Sequence, residues 1–140
     1  MMHVSLLLIV LIAVAIAGCK STETPTAPSV NVAFSATDLR VGTGVEATNG
    51  RTVTMGYAGW LYSTTAADNK GQQFDSGTYA FVLGSNTVIA GWNQGIVGMR
   101  VGGQRRLVIP PALGYGQAGS PPEIPGNATL VFDVELLSVQ

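Results

Sequence analysis

The stretch VIAGWNQGIVGM, Val88–Met99, decides how the rest of the chain is read. Ile89, Trp92, Ile96 and Met99 recur at helical spacing and give one apolar face. Gly91, Gly95 and Gly98 stand among them, although a glycine inside a helix costs about 1 kcal/mol against alanine. A helix that carries this cost is expected to press closely on a neighbouring surface. Glycine lets the two backbones approach, and Trp92 fills the remaining space with one large ring.

Outward from this helix the dominant period is two. VNVAF alternates Val30, Val32 and Phe34, and RTVTMGY places Val53, Met55 and Tyr57 opposite Thr52, Thr54 and Gly56. YAFVL sets Tyr79, Phe81 and Leu83 on one side. QRRLVI reads as a short strand ended by Pro110-Pro111. ATLVFDVELLSV alternates most cleanly, with Leu130, Phe132, Val134 and Leu136 against Val131, Asp133 and Glu135. Such segments are half-buried antiparallel strands. The expected fold class is α+β: a twisted antiparallel sheet with the one short helix packed on its concave face.

The N-terminal part has a different character. Leu6–Ala17 is almost wholly apolar but shorter than the ~20 residues a membrane-spanning helix needs, and it fits the core of an export signal. His3 is the only potentially basic side chain before it. IAGC, Ile16–Cys19, resembles the lipobox of bacterial lipoproteins, in which the cysteine becomes the acylated first residue of the mature chain. Cys19 is the only cysteine present, so no internal disulfide can form, and lipidation would remove a reactive thiol. KSTETPTAPS, Lys20–Ser29, reads as a flexible tether. The expected organisation is a signal peptide over 1–18, a lipidated Cys19 and tether over 19–29, and one domain over 30–140. The expected location is outside the cytoplasm, anchored to a membrane by lipid. Because Lys20 and not Asp follows Cys19, lipoprotein sorting implies the periplasmic face of the outer membrane in a Gram-negative host.

Charge and composition narrow the chemistry. The net charge is −1, and Arg105-Arg106 is the only adjacent basic pair, so no basic patch points to nucleic acid. The only histidine, His3, falls in the expected signal peptide, which leaves the domain without a Ser-His-Asp or Cys-His system. No Cys/His spacing suits a metal, and no Gly-rich phosphate loop is present. An enzyme built from these residues works without covalent catalysis, metal or cofactor. Taken singly, several residues have ordinary readings. Phe81 and Phe132 alternate as core residues do, Asp75 before Ser76-Gly77 suits a turn, and Tyr115 between two glycines suits a loop.

Five segments occur in order: GTG, MGYAGWL, GQQFDSG, FVLGSNTVIAGWNQGIVGMRVGGQRRLVIPPALGYG and IPGNATLVFDVELL. From about Gly42 to Gln140 the chain resembles the FK506-binding-protein (FKBP) family of peptidyl-prolyl isomerases. The resemblance implies a sheet of five to six strands wrapped around one short helix, with the site between them. It implies that Tyr57 and Phe74 form walls, that Asp75 sits at the edge beside polar parts of the substrate, and that Tyr79 lies on the following strand. It places Phe81 in the depth of the pocket with Phe132. Val88 and Ile89 precede the helix, and the Ile89 N–H donates to a substrate carbonyl. Trp92 is the floor under the proline ring, Tyr115 offers its hydroxyl to a carbonyl, and Ile124 lies on a hairpin over the site.

The implied partners are proline-containing polypeptides and the macrolides tacrolimus and rapamycin, with the lipid on Cys19 holding the domain to a membrane. No dimerisation arm is recognisable, so a monomer is expected. A membrane-anchored binding module that recognises proline segments without turnover is the alternative. The chain departs from the family in three places. Thr78 alone separates FDSG from YAFVL, Ser120 stands where some members carry His, and Glu123 stands where an apolar residue is usual.

Overall fold

A computed structural model describes residues 31–140. The export signal, Cys19, the tether and Val30 lie outside the described residues. Five strands form one antiparallel sheet: β1 Ser35–Arg40, β2 Thr52–Tyr62, β3 Lys70–Val82, β4 Gln104–Ile109 and β5 Leu130–Val139. Their order across the sheet is β1-β4-β5-β2-β3. One helix, α1 Ala90–Ile96, lies against β4. Among the described residues no helix is long and apolar enough to cross a membrane.

The alternation read in β5 is the alternation of burial. Leu130, Phe132, Val134 and Leu136 are all within 3% of complete burial, whereas Asp133 and Glu135 keep partial solvent contact. Val53 and Met55 of β2 and Leu107 and Ile109 of β4 complete this inner face. Val131, expected to face water, is also fully buried.

Three expectations need correction. The first strand is not VNVAF: residues 31–34 are irregular, and β1 begins at Ser35. All six residues of β1 are exposed, so it carries no alternation; its place comes from pairing with β4 at the sheet edge. FDSG and YAFVL are not separate pieces joined by a loop, because one continuous strand, β3, includes both. Nor does the helix fill Val88–Met99. Ile89 is its N-cap, Val97 leaves the helical region, and Gly98 turns back at φ +87°, where its N–H reaches the Ala47 carbonyl at 3.0 Å.

The glycines of α1 answer to packing. A Cβ on Gly91 would stand 2.6 Å from Ile109, and one on Gly95 would stand 2.5 Å from Leu107. These glycines are four apart, on one side of the helix, and their opposites are two apart, on one side of β4. Trp92 and Ile96, buried with them, drive α1 into the sheet. Arg105, on the same side of β4, closes the end of the helix. Its Nη1 donates to the carbonyls of Gly95 at 2.8 Å and Val97 at 3.3 Å, while its Nε holds Asp38 of β1 at 2.7 Å.

Candidate active site

Between α1, the inner face of the sheet and the segment after β4 lies a cavity of about 430 Å³. Trp92 is part of its lining. The Tyr57 ring meets it edge-on at 5.2 Å, Phe132 at 5.4 Å, and Phe81 lies tilted at 5.8 Å. Phe74 packs edge-on against Phe132 at 5.5 Å. Offset and edge-to-face pairs of this kind fix ring directions as well as burying area. Trp92 is 5% exposed, and its buried Nε1–H has no partner among the described residues.

The strands aim these rings. Gly59 of β2 pairs with Asp75 of β3 and Trp60 pairs with Gln73, which leaves Phe74 as an extra residue without a partner. Such a bulge breaks the alternation of the strand. Phe74 and Asp75, though adjacent, therefore both border the cavity. Gly59 makes room for them: a Cβ there would lie 2.7 Å from both Phe74 and Phe132. Sequence reasoning missed Gly59, although a glycine inside a strand is a signal of close approach.

The polar groups lie at the rim. The Tyr57 hydroxyl donates to Asp75 Oδ2 at 2.8 Å, and the Ser76 N–H donates to Oδ1 at 2.8 Å. Burial and the Asp75 carboxylate together push the Tyr57 hydroxyl up to about 12. Burial first, and Asp75 second, also raise Tyr115 above the ordinary tyrosine value. Both hydroxyls thus stay protonated as donors near neutral pH. The loop before α1 brings Asn86, Thr87, Val88 and Ile89 to the opposite wall. Asn93 on α1 staples this loop, its Oδ1 accepting the Gly84 N–H at 2.9 Å and its Nδ2 donating to the Ser85 carbonyl at 2.7 Å. Among the described residues no group accepts the Ile89 N–H.

Tyr57, Phe74, Asp75, Tyr79, Val88, Ile89, Trp92, Tyr115 and Phe132 all line this one cavity. Two expected residues do not. Phe81 is 5% exposed and sits behind Trp92, because it is one pleat further along β3, opposite buried Val53. Tyr79 stacks on it from outside at 6.0 Å and supplies the wall instead. Ile124 is 4% exposed, bridged to Ser120 in a tight hairpin, and borders a second cleft beside the first. Asn86, Thr87 and the stapling Asn93 were not anticipated, since polar loop residues carry no periodic signal. Among the described residues no group of His, Cys, Asp and Glu could hold a metal.

A family model described as FKBP-type peptidyl-prolyl cis-trans isomerase matches residues 44–137. The chain belongs to this family. It is 46% identical over 107 residues to FK506-binding protein 4 of Rhizopus delemar, which covers 74% of this chain and 26% of that protein. It is 48% identical over 95 residues to peptidyl-prolyl cis-trans isomerase FKBP15-2 of Arabidopsis thaliana, covering 68% of this chain and 57% of the relative. It is 46% identical over 96 residues to mouse FKBP2, covering 69% and 67%. The chain spans between about a quarter and three fifths of the length of the first of these curated FKBP relatives. The crystal structure of FkpA from Escherichia coli superposes with a TM-score of 0.63 at 39% identity, over 76% of this chain and 48% of that one. The FKBP fold, a five-stranded antiparallel sheet around one helix, is thereby common to both.

Proposed function

We propose that this FKBP-type chain accelerates cis/trans isomerisation of X-Pro bonds in polypeptides. The observation that carries the proposal is a cavity lined by Tyr57, Phe74, Trp92 and Phe132, with the Tyr57 hydroxyl turned to Asp75. The barrier to be lowered comes from amide resonance and is about 18–20 kcal/mol. Water raises it by hydrogen bonding to the polar, planar amide. A proline ring on Trp92 leaves that water behind, and the twisted amide, which has lost resonance, is favoured. A millionfold gain needs about 8 kcal/mol. No proton has to move and no bond has to break, which suits a domain without histidine or cysteine.

In this reading the Ile89 N–H and the Tyr115 hydroxyl hold substrate carbonyls, and Asp75, fixed by Tyr57 and the Ser76 N–H, orients polar substrate groups. Tacrolimus and rapamycin compete for the same cavity. Cys19 carries the lipid that anchors a monomeric domain outside the cytoplasm, where its substrates are exported proteins. The support for anchoring is the apolar run Leu6–Ala17 followed by IAGC.

Two measurements test this. The full chain should accelerate a Leu-Pro peptide in a protease-free isomerisation assay, with the acceleration abolished by tacrolimus. Folded chain without acceleration of any X-Pro peptide overturns the proposal. Mass spectrometry of the mature protein should find Cys19 acylated, and an intact free thiol there refutes anchoring.

A further inference from the structure

Seven acidic residues lie within 31–140, and five of them are ion-paired. Asp38 holds Arg105, Glu46 holds Arg100, Asp68 and Asp133 share Arg106, Asp133 also holds Lys70, and Glu135 holds Arg40. Asp75 and Glu123 are the two described acids without an ion pair, and both border the same space. That space is a cleft of about 290 Å³ lined by Phe74, Asp75, Tyr115, Ser120, Glu123 and Ile124. Phe74, Asp75 and Tyr115 also line the main cavity, so the two spaces adjoin across these residues.

Among the described residues the charge of this cleft is not balanced from elsewhere. Arg40, Lys70, Arg100, Arg105 and Arg106 are each held by the acids just named. Arg51 lies eight positions along β2 from Gly59, the residue paired with Asp75, which is roughly 25 Å of extended strand. The lining is mainly polar, and a cleft bordered by two carboxylates, with Phe74 in its wall, suits a cationic head carried on an aliphatic stem. Lysine and arginine side chains have that form.

We infer that the cleft beside the main cavity takes the residue preceding proline and that Glu123, with Asp75, makes the enzyme favour lysine or arginine there over glutamate. The inference rests on the isomerase reading and adds a substrate class to it. Both carboxylates are exposed, so the preference is modest: exposed pairs give up to about fivefold. It is also sensitive to salt, since screening at 1 M acts within about 3 Å.

The test is kcat/KM of the full chain for matched peptides with Lys, Leu and Glu before proline, at low salt and at 1 M. Glu123→Gln, which keeps size and removes charge, is measured beside it. A Lys/Glu ratio of about threefold to fivefold at low salt, falling toward one in 1 M salt and lowered in Glu123→Gln, supports the inference. Active peptides whose Lys/Glu ratio ignores both salt and Glu123→Gln overturn it and leave the isomerase reading standing. No acceleration of any of the three overturns that reading and this inference with it.

Discussion

Phe132 and Asp133 are neighbours on β5 and belong to two different kinds of surface. Phe132 faces inward, 3% exposed, in contact with the rings of Tyr57, Phe74 and Trp92. Asp133 faces outward into an ionic cluster. It accepts from Arg106 Nε at 2.7 Å, Arg106 Nη2 at 3.0 Å and Lys70 Nζ at 2.6 Å, and Lys70 lies 4.2 Å over the Trp60 ring. Among the described residues the inner side holds no ion pair at the rings, and the buried Trp92 Nε1–H is unpaired. The outer side ties β3, β4 and β5 together by charge. The difference teaches where each job is done. Ion pairs join the strands on the outer side, and the aromatic rings that border the cavity lie on the inner side.

The largest expected effect comes from opening the inner side. Trp92→Ala removes the ring that Tyr57, Phe81 and Phe132 all touch and should cost about 3–5 kcal/mol in urea denaturation. Isomerase activity should fall with it. A loss below 1 kcal/mol would mean that these rings are not the core of the fold.

Gly95→Ala comes next and separates packing from propensity. Helix propensity alone favours alanine by about 1 kcal/mol. The new Cβ, 2.5 Å from Leu107, should reverse the sign and destabilise by about 1–3 kcal/mol. A more stable variant would show that α1 does not need its glycines against β4.

The outer side should respond to acid. Burial raises the Asp133 carboxyl, but hydrogen bonds from Arg106 and Lys70 outweigh it and hold the group below the ordinary carboxylate value. Its contribution is therefore complete above the unfolded value, near 4, and is lost as pH falls through the lower folded value. Urea midpoints from pH 6 to 2 should fall less steeply for Asp133→Asn than for wild type, with a difference of about 1 kcal/mol or less at pH 6. Equal slopes would mean that the cluster does not lock the sheet.

Tyr57→Phe should have an effect of similar size, about 1 kcal/mol or less, since one exposed hydrogen bond to Asp75 is lost. Because the Tyr57 hydroxyl is pushed up to about 12, its contribution is complete below about pH 10 and disappears as pH rises through the folded value. Ultraviolet titration should show two raised tyrosines, Tyr57 and Tyr115, and the variant should lack the later of them. A wild-type chain without a late tyrosine contradicts the Tyr57–Asp75 bond.

The two surfaces were not equally legible in the sequence. Alternation identified β2, β4 and β5, because each has one face in the core and the other toward water. β1 was misplaced by residues because an all-exposed edge strand has no alternation to read. The aromatic residues were found by family resemblance, and nine of the expected side chains meet at one cavity. Phe81 could not be separated from them, since it shares a side of β3 with Asp75 and Tyr79 and differs in lying further along the strand, opposite buried Val53. Gly59 acts through its closeness to Phe74 and Phe132, and Asn93 through hydrogen bonds to Gly84 and Ser85 in the loop before its helix; neither follows from periodicity. The ion pairs around Asp133 depend on register between β4 and β5, where Arg106 stands directly opposite it.

The central claim is that the cavity works by desolvation, without a titrating group. The direct measurement is kcat/KM of the full chain for a Leu-Pro peptide from pH 6 to 8. Tyrosine and aspartate side chains do not ordinarily titrate in that window, and the domain has no histidine or cysteine. The account predicts acceleration that is flat across the range and nearly unchanged in deuterated water. A sigmoidal or bell-shaped profile with an apparent pKa inside the window, or a large solvent isotope effect, would contradict it.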